Sequence, residues 1–180
     1  MIYTYADCLE KWHSDYQLKK QITAGNLFQI EKGIYSDTPQ VSGLSVIAAK
    51  YPKAIFTMNS AFYYYGLTDV IPNQYHIATG KHSIQLCDKR IRQYYIPSDL
   101  LIKGVTVIKH RNTEIKIYDR ERMLIELLRY KNKLPYDYYK EILGNYRNLI
   151  YELDTEQIQE YAAIFPRHKL ISEALDREVF

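Results

Sequence analysis

Within the first 36 residues, two short helical patterns are separated only by His13-Ser14 and are followed by two β-prone runs around Gly33. Tyr5, Cys8, Leu9 and Trp12 fall on one helical face, and Ser14 is a good N-cap for a second helix, Asp15 to Ala24, on which Leu18 and Ile22 share a face. Gly25 supplies the stop, and Asp15 in the first turn complements the helix dipole. Leu27 to Ile30 and Ile34-Tyr35 flank Glu31-Lys32-Gly33, where a glycine that accepts positive φ permits a tight hairpin. Helix, turn, helix, hairpin is the order of a winged helix.

The stretch Ser36–Gly43, with Pro39, is the most probable boundary by composition, so the expected division is residues 1–37 and 38–180. Beyond it helix and strand signals alternate. A helix is expected at Leu44–Tyr51, a strand at Ala54–Met58 and a helix capped by Ser60 and ended by Gly66. Strands follow at Gln74–Thr79, Ile91–Ile96, Val105–Arg111 and Glu114–Tyr118, with Asn112-Thr113 as the tip between the last two. Helices at Arg120–Tyr130, Tyr136–Tyr146, Thr155–Ile164 and Arg167–Asp176 complete the pattern. The expected fold class is α/β (α+β): a winged-helix-like module on a mixed-sheet domain with C-terminal helices.

No apolar run approaches the roughly 18 residues of a membrane span, and Met1–Asp7 has neither a basic nor an apolar leader region. Two cysteines, Cys8 and Cys87, are too few for a disulfide framework. A cytoplasmic protein without membrane contact is the expectation. The nineteen tyrosines suit half-buried surfaces and interfaces, where an apolar body needs a polar tip.

Charge is uneven along the chain. Residues 1–36 hold four basic and four acidic groups, residues 81–122 ten basic and five acidic, and residues 148–180 three basic and seven acidic. A polyanion is drawn to the middle segment and repelled by the tail.

In a helix-turn-helix the second helix lies in the major groove with its outward side chains on base edges. Here Tyr16, Gln17, Lys20 and Gln21 face outward, Lys19 lies at the flank, Ser14 caps the helix, and Lys32 at the hairpin tip is placed for a backbone phosphate. Lys89, Arg90, Arg92, Lys103, Lys109, His110 and Arg111 are expected to make an auxiliary basic surface on adjoining strands. Against these stands a nuclease reading. Pro97-Ser98-Asp99 followed by Glu114-Ile115-Lys116 is similar to a Pro-Asp, Glu-x-Lys pattern in which Asp99 and Glu114 hold Mg²⁺ and Lys116 steadies a water. Ser98 interrupts that pattern. His76, His82, Cys87 and His110 lack metal-ligand spacing, and no phosphate-binding loop or nucleophile elbow is present, so neither cofactor nor metal is expected.

The run Leu18-Lys19-Lys20-Gln21-Ile22-Thr23-Ala24-Gly25-Asn26-Leu27, followed by Ile30 and Gly33-Ile34-Tyr35, resembles the recognition helix and wing of AbiEi-type antitoxins. Ser60-Ala61, Gly66-Leu67 and Asp119-Arg120-Glu121-Arg122-Met123-Leu124-Ile125-Glu126 resemble the same family's second domain. The resemblance implies a non-enzymatic antitoxin that represses its own promoter at repeated operator sequences and counteracts a nucleotidyltransferase-like toxin. It marks Arg122 and Glu126 as an antitoxin-domain motif. The family carries one more helix ahead of the pair, so this reduced module would bind DNA weakly or draw on following residues to complete its core.

Overall fold

A computed structural model describes residues 1–180, which form two compact units: Met1–Lys53 with Arg111–Glu114, and Ala54–His110 with Ile115–Phe180. The division falls after Lys53, where composition had suggested residue 37.

The first unit runs β1 (Ile2–Thr4), α1 (Tyr5–Trp12), α2 (Asp15–Thr23), β2 (Phe28–Glu31), β3 (Ile34–Ser36) and α3 (Gly43–Lys50). Thr4 and Asp7 close a capping box on α1. His13 ends that helix in the left-handed region, at φ 62°, its N–H donating to the Leu9 carbonyl. Ser14 then accepts from the Gln17 N–H at 3.3 Å and opens α2. Cys8, Leu18, Leu27 and Tyr35 form the core beneath the pair, with Tyr3, Trp12 and Ile22 around it.

The sheet order is β1-β3-β2, all antiparallel. The unexpected β1 makes β3 the central strand, which is why Ile34, Tyr35 and Ser36 are all buried. Gly33 turns the hairpin at φ 80°, and its carbonyl accepts from the Tyr5 N–H, tying the wing to the start of α1. Helix α3 packs on β1 and β3 and joins the wing through Lys50 and Glu31, 3.0 Å apart. A module of under 40 residues rarely holds a stable core alone. Here α3 adds cover over β1 and β3.

The second unit holds β4 (Ile55–Phe56), α4 (Met58–Tyr64), β5 (Tyr75–Gly80), β6 (Ile91–Ile96), α5 (Ser98–Leu101), β7 (Val105–His110), β8 (Thr113–Tyr118) from Ile115 onward, α6 (Arg120–Tyr130), α7 (Tyr136–Leu149), α8 (Thr155–Ile164) and α9 (His168–Glu178). Its five-stranded sheet is mixed, ordered β6-β5-β4-β8-β7: β4 runs antiparallel to β5 and parallel to β8, and β5 is parallel to β6. The α/β class with a mixed sheet and C-terminal helices is therefore as expected.

Two local expectations need correction. Ser60 does not cap α4. The helix starts at Met58, and the Ser60 hydroxyl accepts the buried His76 N–H at 2.8 Å. The β7–β8 tip is Arg111-Asn112, both left-handed, with Thr113 already in the strand. The one-turn helix α5 gave no periodic signal.

Helix α6 organises this unit, since every residue from Arg122 to Leu128 is buried and α4, α7, α8 and α9 pack against it. The tyrosines serve the same interior. Tyr118 and Tyr146, buried, and Tyr65, half-buried, donate to the carbonyls of Leu101, Arg120 and Tyr118, while Tyr139 and Tyr161 donate to Glu178 and Asp119. Ring burial supplies apolar area and the hydroxyl satisfies a polar group that the packing would otherwise strand. No helix is long and apolar enough to cross a membrane.

Candidate nucleic-acid interface

Leu18 points into the core and Ile22 lies half-buried beside it, so the opposite side of α2 faces solvent. Tyr16, 73% exposed, stands there with Gln17, Lys19 and Lys20. None of these four side chains makes a hydrogen bond or ion pair. Gln21 differs. It is half-buried, and its Oε1 accepts from Asn26 Nδ2 at 3.1 Å, so its amide already serves the end of the helix. Asn26, just past the Gly25 stop, was the signal for that bond.

Ser14 acts on the helix rather than beyond it. Asp15, the one carboxylate of α2, accepts the Tyr5 hydroxyl at 2.6 Å, a bond that with burial and the adjacent charge raises the Tyr5 phenol above its ordinary value. Lys32 is exposed at the tip of the β2–β3 wing. The first unit thus presents a polar, partly cationic helix face and a basic wing tip, free of internal partners.

The auxiliary basic surface is not one surface. Arg92 lies on β6 and Lys109 on β7, the two outer strands of the sheet, with β5, β4 and β8 between them. At about 4.8 Å per strand they stand nearly 20 Å apart. Arg90 is held by Asp88 through bonds of 2.9 and 2.7 Å, and Arg92 lies over the Tyr94 ring. His110 sits against the Tyr63 and Tyr64 rings. Lys89, Lys103 and Arg111 are exposed, the last at the hairpin tip.

Arg122 and Glu126 are not a surface motif either. Arg122 is fully buried: Nε and Nη2 donate to Glu126 Oε1 at 3.3 and 3.1 Å, and Nη1 to the Leu100 and Lys103 carbonyls, both at 2.7 Å. Its guanidinium lies over the Tyr118 and Phe165 rings at 4.1 and 4.5 Å. Arg129 takes the second Glu126 oxygen at 2.7 Å. This network ties α5 and its following turn to α6 and to the end of α8, with Arg122 and Glu126 themselves enclosed.

The nuclease pattern is likewise not gathered. Asp99 lies in α5, which packs against β5, whereas Lys116 lies on β8 beyond β4. Glu114 and Lys116 are exposed, because Ile115 and Ile117 point inward. No three His, Cys, Asp or Glu side chains come together as a metal-holding group.

No protein-family model matches the chain. Nor does any curated protein match its sequence. Among solved structures the chain is similar to the RV2827C protein from Mycobacterium tuberculosis, with a TM-score of 0.65 and 14% identity, over 98% of this chain and 71% of that one. At that identity the likeness establishes a shared fold.

Proposed function

We propose that this chain binds duplex DNA through α2 and its wing, acting as the autorepressor of a toxin–antitoxin operon for which it is also the antitoxin. The observation that carries the DNA reading is the outward face of α2, where Tyr16, Gln17, Lys19 and Lys20 stand unpartnered on a capped helix followed by a basic wing tip. Side chains with no work inside the protein are free to meet base edges and phosphates. Gln17 suits adenine, Lys20 suits guanine, and Lys19 and Lys32 suit phosphates. Because residues 1–36 are neutral overall, phosphate attraction is weak, and binding at repeated sites by several copies makes up the affinity.

The antitoxin role rests on the family resemblance, and it opposes a nucleotidyltransferase-like toxin. Its residues are to be sought on the surface of the second unit rather than at Arg122 and Glu126, whose atoms face inward.

The test is a gel shift with DNA from upstream of the chain's own reading frame. Gln17→Ala should relax sequence preference, whereas Lys32→Ala should weaken all sequences alike and lower the salt slope by about 1. Absence of binding at low salt would end the repressor reading. For the antitoxin role, the full chain carrying Gln17→Ala, Lys19→Ala and Lys20→Ala is expressed beside the toxin. Rescue of growth without operator binding assigns the two activities to different surfaces.

A further inference from the structure

A cleft of about 480 Å³ opens in the first unit, but a cleft of about 430 Å³ in the second has the more definite chemistry. It lies between the C-terminal end of α6 with the turn that follows, and the N-terminal half of α9. Four cations line it, Arg129, Lys131, Lys133 and Arg167, and no carboxylate does. Two are already committed: Arg129 to Glu126 at 2.7 Å and Lys131 to Glu178 at 2.7 Å. Lys133 lies over the Tyr130 ring, and neither it nor Arg167 has a carboxylate partner. The floor is aliphatic, with Leu170 left 60% exposed beside buried Ile171.

We propose that this cleft receives an acidic segment of a partner protein, with an aliphatic side chain set on Leu170 and Ile171 and carboxylates meeting Lys133 and Arg167. The charge pattern of the lining selects the sign of the partner, since an anion entering here meets two cations without carboxylate partners and no carboxylate in the lining. The floor selects its kind. A single-stranded nucleic acid needs aromatic faces on which bases stack. The one aromatic ring in the cleft, Tyr130, carries Lys133 over it and meets Tyr94 edge to face. An aliphatic floor with a cationic rim is the complement of a peptide that has a Leu, Ile or Met anchor between acidic residues. The volume has room for one or two such anchors.

Lys133, Arg167 and Leu170 are all exposed, so their substitution leaves the fold intact. The experiment pans a random phage-displayed library of peptides of about twelve residues on the full chain, then measures the enriched peptide in solution by fluorescence anisotropy. Enrichment of sequences placing carboxylates around an aliphatic residue is expected. The same peptide should bind at least about tenfold more weakly to the chain with Lys133→Glu and Arg167→Glu, and also more weakly to Leu170→Ser. The triple α2 variant should bind it as the unaltered chain does, which separates this site from the DNA reading. The proposal fails if nothing enriches, if enriched peptides lack carboxylates, or if the cleft variants bind undiminished. It also fails if a labelled single-stranded oligonucleotide is held more tightly than the peptide and released by the same variants. A sedimentation mass that falls with Lys133→Glu would make the occupant a second copy of this chain and overturn it as well.

Discussion

Helices α2 and α6 each carry cations, and they use them in opposite ways. On α2, Lys19 and Lys20 face solvent with no partner, and the helix touches the core through Leu18 and Ile22. On α6, Arg122 lies inside, where its guanidinium makes four hydrogen bonds and lies over two aromatic rings. A buried cation with four of its five donors engaged within the protein has little left for a ligand. One with idle donors at the surface adds little to stability and stays available to water or to a ligand. Residue type therefore does not separate structural cations from those left available at the surface, but partner accounting does.

The comparison breaks first if Arg122 is removed without consequence. Arg122→Met leaves Glu126 in the interior with Arg129 as its remaining ion-pair partner and strips the Leu100 carbonyl, buried, and the Lys103 carbonyl, half-buried, of a donor. Urea unfolding should show a loss of about 3–5 kcal/mol. Adding Glu126→Leu should recover part of that loss, because the stranded charge goes with it. A loss under about 1 kcal/mol for the single change would mean that Arg122 is not structural.

Burial of a titratable group should show itself through pH as well. His76 lies in β5, buried, with Nδ1 3.0 Å from the Tyr94 hydroxyl, and burial, aided by the Arg92 charge, lowers its pKa from 6.5 to about 4. Between those values the unfolded chain holds a proton that the folded chain refuses. The contribution is fully present above about pH 6.5 and is lost as pH falls toward 4, to a total of about 3 kcal/mol. Unfolding measured across this window should show a smaller slope in His76→Gln. Equal slopes would mean that His76 is protonated in place.

Much of the first unit was legible because its signals are local: Ser14 and Gly25 bound α2, and Gly33 turns the wing. Strand β1 was not, since three residues without a flanking turn carry no period, and its role follows from pairing with β3 over thirty residues away. The auxiliary basic surface misled for a related reason. Strands β6 and β7 are neighbours in sequence, yet they end on opposite edges of the sheet, and strand order is not written in either strand's own pattern. The burial of Arg122 is not legible in α6 itself, because the carbonyls that receive it lie 22 and 19 residues upstream and Phe165 belongs to a distant helix end.

A smaller effect sharpens how tightly α6 is enclosed. Gly104 has φ 70°, and a Cβ there would lie 2.9 Å from the Arg122 Cβ and 3.0 Å from Asp119 Oδ2. Both the left-handed backbone and the close approach demand glycine. Gly104→Ala should cost about 2 kcal/mol in the same unfolding measurement. A neutral result would show that the turn before β7 relaxes freely, and Arg122 would then be less fixed than its bonds imply.

The smallest expected effect is the one on which the recognising role proposed for α2 depends. Lys19 and Lys20 make no internal bond, so each change to Ala should alter stability by under about 0.5 kcal/mol, and in the favourable direction if alanine's helix propensity counts. Ser14→Ala is the control on the same helix. It removes the cap on the Gln17 N–H and should cost about 1 kcal/mol. If the lysine changes prove as costly as the cap change, these side chains are holding the unit together and their claim to be DNA contacts is lost. If they are silent in unfolding but abolish the gel shift, the exposed face is there for a partner, and no stabilising role competes to explain it.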